Sequence, residues 1–153
     1  MLIVSDAGPG SVVCARRCSR SATRVVAELL IPNAIAAEIG DTLVNQLPWL
    51  KRQPVRDHQR VSTLPHKLHL GEREAIVLAQ ELNAALLIDE RQARKEASQR
   101  GIEHFGSLRV LTRAREQGII ARIKPVLDDL IASGAYISKP LYEEFLRQIG
   151  EES

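Results

Sequence analysis

Ala84-Ala85-Leu86-Leu87-Ile88-Asp89-Glu90-Arg91 decides the fold: an unbroken apolar run stopped by two acids. A strand with one wet face alternates apolar and polar residues, so a continuous run of this length reads as a strand covered on both faces of a parallel sheet. The flanks agree. Before the run, Ala75, Ile76, Ala79 and Leu82 form an apolar stripe at helical spacing over Gly71 to Leu82, and Asn83 ends that helix. After it, Arg91 to Arg100 is charged and helical, with Gly101 as the C-cap.

Toward the N-terminus, Leu2 to Ser5 is a second short apolar run, closed by Asp6, and Ala7-Gly8-Pro9-Gly10 is turn chemistry ahead of a first helical stretch. Val25 to Ile31 reads as another strand or buried extended piece. Pro32 then punctuates the chain, and Asn33 stands as N-cap for a helix over Ala34 to Leu47. From Pro48 to Leu70 the chain is irregular, interrupted by Pro48, Pro54 and Pro65, with Arg56 to Ser62 allowing one short strand. Toward the C-terminus, Ile102 to Phe105 is a further strand. Ser107 is placed to cap a helix over Leu108 to Gln117 that Gly118 closes, and two more helices cover about Lys124 to Ser133 and Pro140 to Ile149. Strands alternating with helices imply a parallel, helix-covered sheet.

The chain has 153 residues, enough for one domain with a real core, and 44% hydrophobic against 26% charged residues is a globular balance. The apolar start is too short for a signal peptide or a membrane span, so a cytoplasmic protein without membrane association is expected. Cys14 and Cys18 lack the partners that tetrahedral zinc needs and read as free thiols in a reducing compartment. His66 and His69, three apart with no matching acid or Cys, read as exposed loop histidines. A net charge of +2 does not announce a nucleic-acid binder. Its distribution is more suggestive: Arg16, Arg17, Arg20 and Arg24 crowd the first helical stretch, and Lys51, Arg52, Arg56, Arg60 and Lys67 recur through the middle, enough charge to meet a phosphate backbone. Aromatic residues at 3% argue against a platform that stacks bases.

In open parallel sheets ligands bind beyond the carboxyl ends of the strands. Asp6 and Asp89 stand at two such ends. Helical phase adds two more acids, Glu72 on the face of Ile76 and Ala79, and Glu38 on the face of Ala34 and Ile35, whereas Glu74 falls nearly opposite Glu72. Each acid has a modest job available instead: Asp6 and Asp89 as caps, Glu72 as a helix-dipole partner, Glu38 as a surface acid. Taken together, four acids converging on one sheet edge would be costly unless a cation compensates them, and no Lys or Arg has the spacing to do so. A shared Mg²⁺ or Mn²⁺ would, and such an ion can polarise a phosphodiester and activate water.

These segments resemble the PIN-domain superfamily, and more closely its small bacterial DUF3368 branch. The resemblance is carried by Val4-Ser5-Asp6-Ala7-Gly8-Pro9, Ile31-Pro32-Asn33-Ala34-Ile35-Ala36-Ala37-Glu38-Ile39, Gly71-Glu72-Arg73-Glu74-Ala75-Ile76, Leu86-Leu87-Ile88-Asp89-Glu90-Arg91-Gln92-Ala93-Arg94 and Gly106-Ser107-Leu108-Arg109-Val110-Leu111. It implies a three-layer α/β/α domain over residues 1–153 with a central, mainly parallel sheet of four or five strands. It further implies a Mg²⁺- or Mn²⁺-dependent ribonuclease of single-stranded RNA, commonly the toxin of a toxin-antitoxin pair, with a small antitoxin protein as partner and often a homodimer. Position by position, Asp6, Glu38, Glu72 and Asp89 match the family's acidic quartet, as catalytic and metal-holding residues. Glu74 and Glu90 are close alternates, Ser107 orients a water or caps its helix, and Arg94 holds phosphate or pairs with Asp89. Where the family has an apolar first helix, residues 10–19 are basic and contain both cysteines. That departure keeps a second expectation in play, a catalytically inactive PIN-like module that binds RNA or protein. No Gly-rich phosphate loop supports a nucleotide-hydrolysing enzyme.

Overall fold

The computed structural model describes residues 2–6, 29–47, 50–132 and 137–152. Both cysteines, the cluster Arg16, Arg17, Arg20 and Arg24, the first helical stretch and Val25 to Glu28 lie outside the described residues.

Five short strands form one fully parallel sheet: β1 (Ile3–Ser5), β2 (Leu29–Ile31), β3 (Leu50–Arg52), β4 (Ala85–Leu87) and β5 (His104–Phe105), in the order β3-β2-β1-β4-β5. Eight helices are described: α1 (Asn33–Ile39), α2 (Asp41–Gln46), α3 (His58–Thr63), α4 (Leu70–Leu82), α5 (Arg91–Gln99), α6 (Ser107–Glu116), α7 (Lys124–Ala132) and α8 (Lys139–Ile149). None of them is long and apolar enough to cross a membrane.

The apolar runs read from the sequence are the middle of this sheet. β1, β2 and β4 are buried at every position because helices cover both faces. On one face Val4, Leu30, Leu86 and Ile88 pack with Ala75 to Ala79 of α4, Val61 of α3 and Ala93 and Ala97 of α5. On the other, Ile3, Leu29, Ile31 and Leu87 pack with Ile35 and Ala36 of α1, Val44 of α2 and the edge of Phe105. A separate C-terminal cluster joins α6, α7 and α8 through Leu111, Ala114, Ile123, Leu127, Leu130 and Leu146.

Four expectations are corrected. The single helix expected over Ala34 to Leu47 is two helices. Gly40 adopts φ +96°, outside the helical basin, and ends α1 so that α2 starts afresh; Pro32, not Asn33, occupies the N-cap. The strand allowed over Arg56 to Ser62 is instead the helix α3. Asp57 caps it by accepting the Arg60 N–H at 3.0 Å, and Val61, Leu64 and Leu68 bury their side chains against the α4 layer. Ser107 does not cap α6 but is its first residue. The actual strand of the irregular stretch, Leu50–Arg52, pairs with β2 in parallel.

Candidate active site

The sheet leads outward from β1 through β2 to β3, then returns to the other side of β1 for β4 and β5. The reversal falls between β1 and β4, where an open parallel sheet leaves a crevice at its carboxyl edge. Asp6 and Asp89 emerge there from neighbouring strands. Ser5 is in register with Leu87, and the Asp6 N–H donates to the Leu87 carbonyl at 3.3 Å, so the backbone of β1 is tied to β4 at the residue that matters.

α4 runs toward β4 and so presents its N-terminus to the same edge. Glu72 lies in its first turn, buried, with one carboxylate oxygen accepting the His69 N–H at 2.9 Å. His69 is therefore exposed, as expected, but serves as the residue that enters α4. α1 approaches this point closely because residue 71 is glycine: a Cβ there would overlap the end of the Ile35 side chain and stand 3.6 Å from Glu38 Oε1. Glu38 is thus brought beside the start of α4. It is exposed rather than buried, because the last turn of α1 projects past the layer that Ile35 and Ala36 seal.

Electrostatics show how closely these acids gather. The Asp6 carboxyl is held well above its ordinary pKa, first by burial and then by the negative charges of Glu72, Asp89, Glu90 and Glu38. Glu72 is also raised, chiefly by burial, with the His69 N–H opposing and Glu90 and Glu38 adding to the rise. Asp6 thus feels the charge of Glu38, Glu72 and Asp89, the other acids singled out in the sequence, and of Glu90.

The remaining candidates divide by what they touch. Asp89 is clamped: its Oδ1 accepts the Ser107 N–H at 2.8 Å and its Oδ2 accepts the Ser107 hydroxyl at 2.5 Å. The carboxylate itself caps α6, and Ser107 orients the acid. Glu90 caps α5 by accepting the Ala93 N–H at 2.7 Å. Glu74 is buried, not opposite the packed face, because α4 is enclosed on nearly all sides; its Oε2 accepts the Ala34 N–H at 2.9 Å and holds the start of α1. Arg94 forms no ion pair with Asp89 and donates from Nε to the Ile88 carbonyl at 3.0 Å. Lys51, Arg52, Arg56, Arg60 and Lys67 are all exposed, with Arg52 paired to Asp41 and Arg60 to Asp57 at 3.7 Å. Sequence reasoning missed Gly71 and Gly106 as determinants of the site. The signal was the glycine that opens two of the quoted segments, Gly71-Glu72 and Gly106-Ser107, where another chain segment comes close.

The donor set fits a hard divalent cation. Among the described residues the Asp6 carboxylate receives no hydrogen bond, and the charged groups that act on it are carboxylates, which are oxygen donors. Among the described residues no group of three or more His, Cys, Asp or Glu stands close enough together to hold a metal ion by itself. Mg²⁺ does not need one, since it takes one or two protein carboxylates and retains waters for the rest.

Comparison with known proteins agrees with the fold. Among curated proteins, no sequence matches. Among solved structures, the chain is similar to a PilT N-terminus domain protein from the hyperthermophilic archaeon Sulfolobus solfataricus P2, with a TM-score of 0.54 and 17% identity over 74% of this chain and 92% of that one. At that identity the likeness speaks for the fold. The profile of the DUF3368 PIN-domain family matches residues 2–151, a span that takes in β1, the switch point and every acid described above. PIN domains have a nuclease-type fold and are typically dependent on divalent metal. With nearly the whole chain inside that match, and a parallel sheet with its acids gathered at the switch point, this is a PIN-domain protein of the DUF3368 family.

Proposed function

We propose that this protein is a metal-dependent endoribonuclease that hydrolyses phosphodiester bonds of single-stranded RNA. The observation that carries the reading is the half-buried Asp6 carboxylate, without a hydrogen-bond donor among the described residues and raised in proton affinity first by desolvation and then by four other acids at the sheet's carboxyl edge. Asp6 and Glu72 would hold Mg²⁺ or Mn²⁺, with Asp89 and Glu38 completing the negative surface that draws it in. The cation, when bound, neutralises the phosphate's charge and polarises it toward attack.

The chain's own residues supply the rest. Ser107 fixes both oxygens of Asp89, so this acid keeps one orientation as substrate arrives. Glu72 is held by the His69 N–H on one oxygen, leaving the other for the site. The exposed Lys51, Arg52, Arg56, Arg60 and Lys67 favour a polyanion by long-range attraction. The same reading, by family resemblance, extends to a toxin restrained by a small antitoxin protein, working as a homodimer in the cytoplasm.

The test is incubation of the purified protein with mixed single-stranded RNA and Mg²⁺ or Mn²⁺, beside Asp6→Asn. Cleavage by the wild type that chelator stops, and that the variant loses by at least about a hundredfold, is the expected result. Binding without cleavage by either protein would instead identify a non-catalytic module.

A further inference from the structure

Arg94 is the one candidate whose role the acids do not explain. Its side chain leaves the first turns of α5 and returns to the end of β4, where Nε donates to the Ile88 carbonyl at 3.0 Å. The guanidinium then packs against Gly106, at the turn between β5 and α6. A Cβ on residue 106 would overlap Arg94 Nη2 and stand 2.9 Å from Asp89 Oδ1, so the cation and the carboxylate flank one point. They nevertheless form no ion pair; Ser107 holds both Asp89 oxygens, and Arg94 turns its Nε to the Ile88 carbonyl instead. Among the described residues, neither Nη group of Arg94 has a hydrogen-bond partner.

A purely structural strut would use its charge. This one spends a single donor on a backbone carbonyl and keeps its paired Nη edge unengaged beside a carboxylate cluster. That edge has the geometry for two non-bridging oxygens of a phosphate, the pairing for which a guanidinium is better suited than an ammonium. The electrostatics require such a group as well. Five acids repel an incoming polyanion, and a cation held at their margin offsets that repulsion where the backbone must enter.

We propose that Arg94 is a substrate-contacting residue, its Nη edge donating to a phosphate of single-stranded RNA on the Asp89 side of the site, in a slot that exists because residue 106 has no side chain. The proposal rests on the ribonuclease reading and names the group that would hold its substrate. Gly106 has φ −104° and ψ 175°, a conformation open to alanine, so Gly106→Ala crowds the guanidinium without straining the backbone.

The experiment measures binding of a labelled single-stranded RNA in chelator, where no cleavage occurs, and kcat and KM in Mn²⁺, for the wild type, Arg94→Gln, Arg94→Lys, Gly106→Ala and the Arg94→Gln/Gly106→Ala double variant. Mn²⁺ affinity and thermal stability are measured alongside. The expected result is that Arg94→Gln weakens RNA binding about tenfold or more and raises KM, and that the salt dependence becomes shallower by about 0.7 in log-log slope for the lost contact. Arg94→Lys recovers part of the affinity. Gly106→Ala weakens RNA binding in the same direction as Arg94→Gln, and the double variant falls short of the sum of the two losses by the part that acts through Arg94. Neither Mn²⁺ affinity nor melting temperature falls below its wild-type value in Arg94→Gln.

Wild-type RNA affinity, salt slope and KM in Arg94→Gln would overturn the proposal while leaving the nuclease reading intact. A loss of affinity matched by a fall in melting temperature and in Mn²⁺ binding would overturn it too, in favour of a strut for Asp89. If the wild type cleaves no RNA, the nuclease reading falls and the binding arm still decides: Arg94-dependent affinity upholds the phosphate contact, and unchanged affinity ends it.

Discussion

Glu72 and Glu74 are two residues apart on one helix and both are buried, yet their carboxylates face different chemistry. Glu74 is consumed by the Ala34 N–H, a closed local bond that anchors α1. Glu72 keeps an oxygen beside Asp6 and shares in its raised proton affinity. Alanine in place of Glu74 leaves a backbone donor without its partner, and a destabilisation of about 1–3 kcal/mol is expected, read by chemical denaturation, with Mn²⁺ affinity close to wild type. Alanine in place of Glu72 reverses the pattern: titration calorimetry should show Mn²⁺ binding weakened about tenfold or more, since the proposed site would lose one of its few direct ligands. Equal metal affinities for the two variants would show that the site is drawn in the wrong place.

At the scale of elements, Gly71 decides how near α1 and α4 come. An alanine there gains up to about 1 kcal/mol of helix propensity. Its methyl group, however, meets Ile35, which is 2% exposed and has nowhere to move, and overpacking of this kind costs about 1–3 kcal/mol. The net expectation for Gly71→Ala is a modest loss of stability together with weaker Mn²⁺ binding, because Glu38 rides on the displaced helix. The same elements show what was legible beforehand. Ala84 to Ile88 and Leu2 to Ser5 declared themselves as strands because nothing but burial on two faces explains such runs, and the acids that stop them followed directly. The interval Arg56 to Ser62 was ambiguous, since a short stretch with one buried valine satisfies either periodicity, and only the Asp57 cap and the packing of Leu64 and Leu68 decide for helix. Glu38 and Glu74 were assigned to the wrong environments for a related reason. Helical phase tells which residues share a side, but not how many sides of a helix the fold will cover.

Across the whole molecule, the C-terminal helices form their own cluster, and Glu151 fastens it. This buried carboxylate accepts from the Ile123 N–H at 2.9 Å, the Lys124 N–H at 2.7 Å and Arg115 Nη1 at 2.9 Å, so it joins α6, the start of α7 and the end of α8. Burial alone would raise its pKa, but these donors outweigh it and hold the carboxyl below its ordinary value. A lowered folded-state pKa contributes stability above the unfolded value, and that contribution is lost as pH falls through the folded one. Glu151→Gln should therefore lower the melting temperature at neutral pH by an amount that shrinks on acidification below about pH 4; a gap that is constant with pH would refute the assignment. Asp6 and Glu72 act with the opposite sign, which is why the comparison is drawn between variants at each pH. The clip between the Asp6 N–H and the Leu87 carbonyl carries its own consequence. Asp6 and Asp89 hang from adjacent strands whose spacing is that of the sheet itself, so this side of the cleft behaves as a fixed jaw. In the proposed site Glu38, exposed on the last turn of a short helix, would be the yielding jaw, accommodating ions of unequal radius while the sheet stays still.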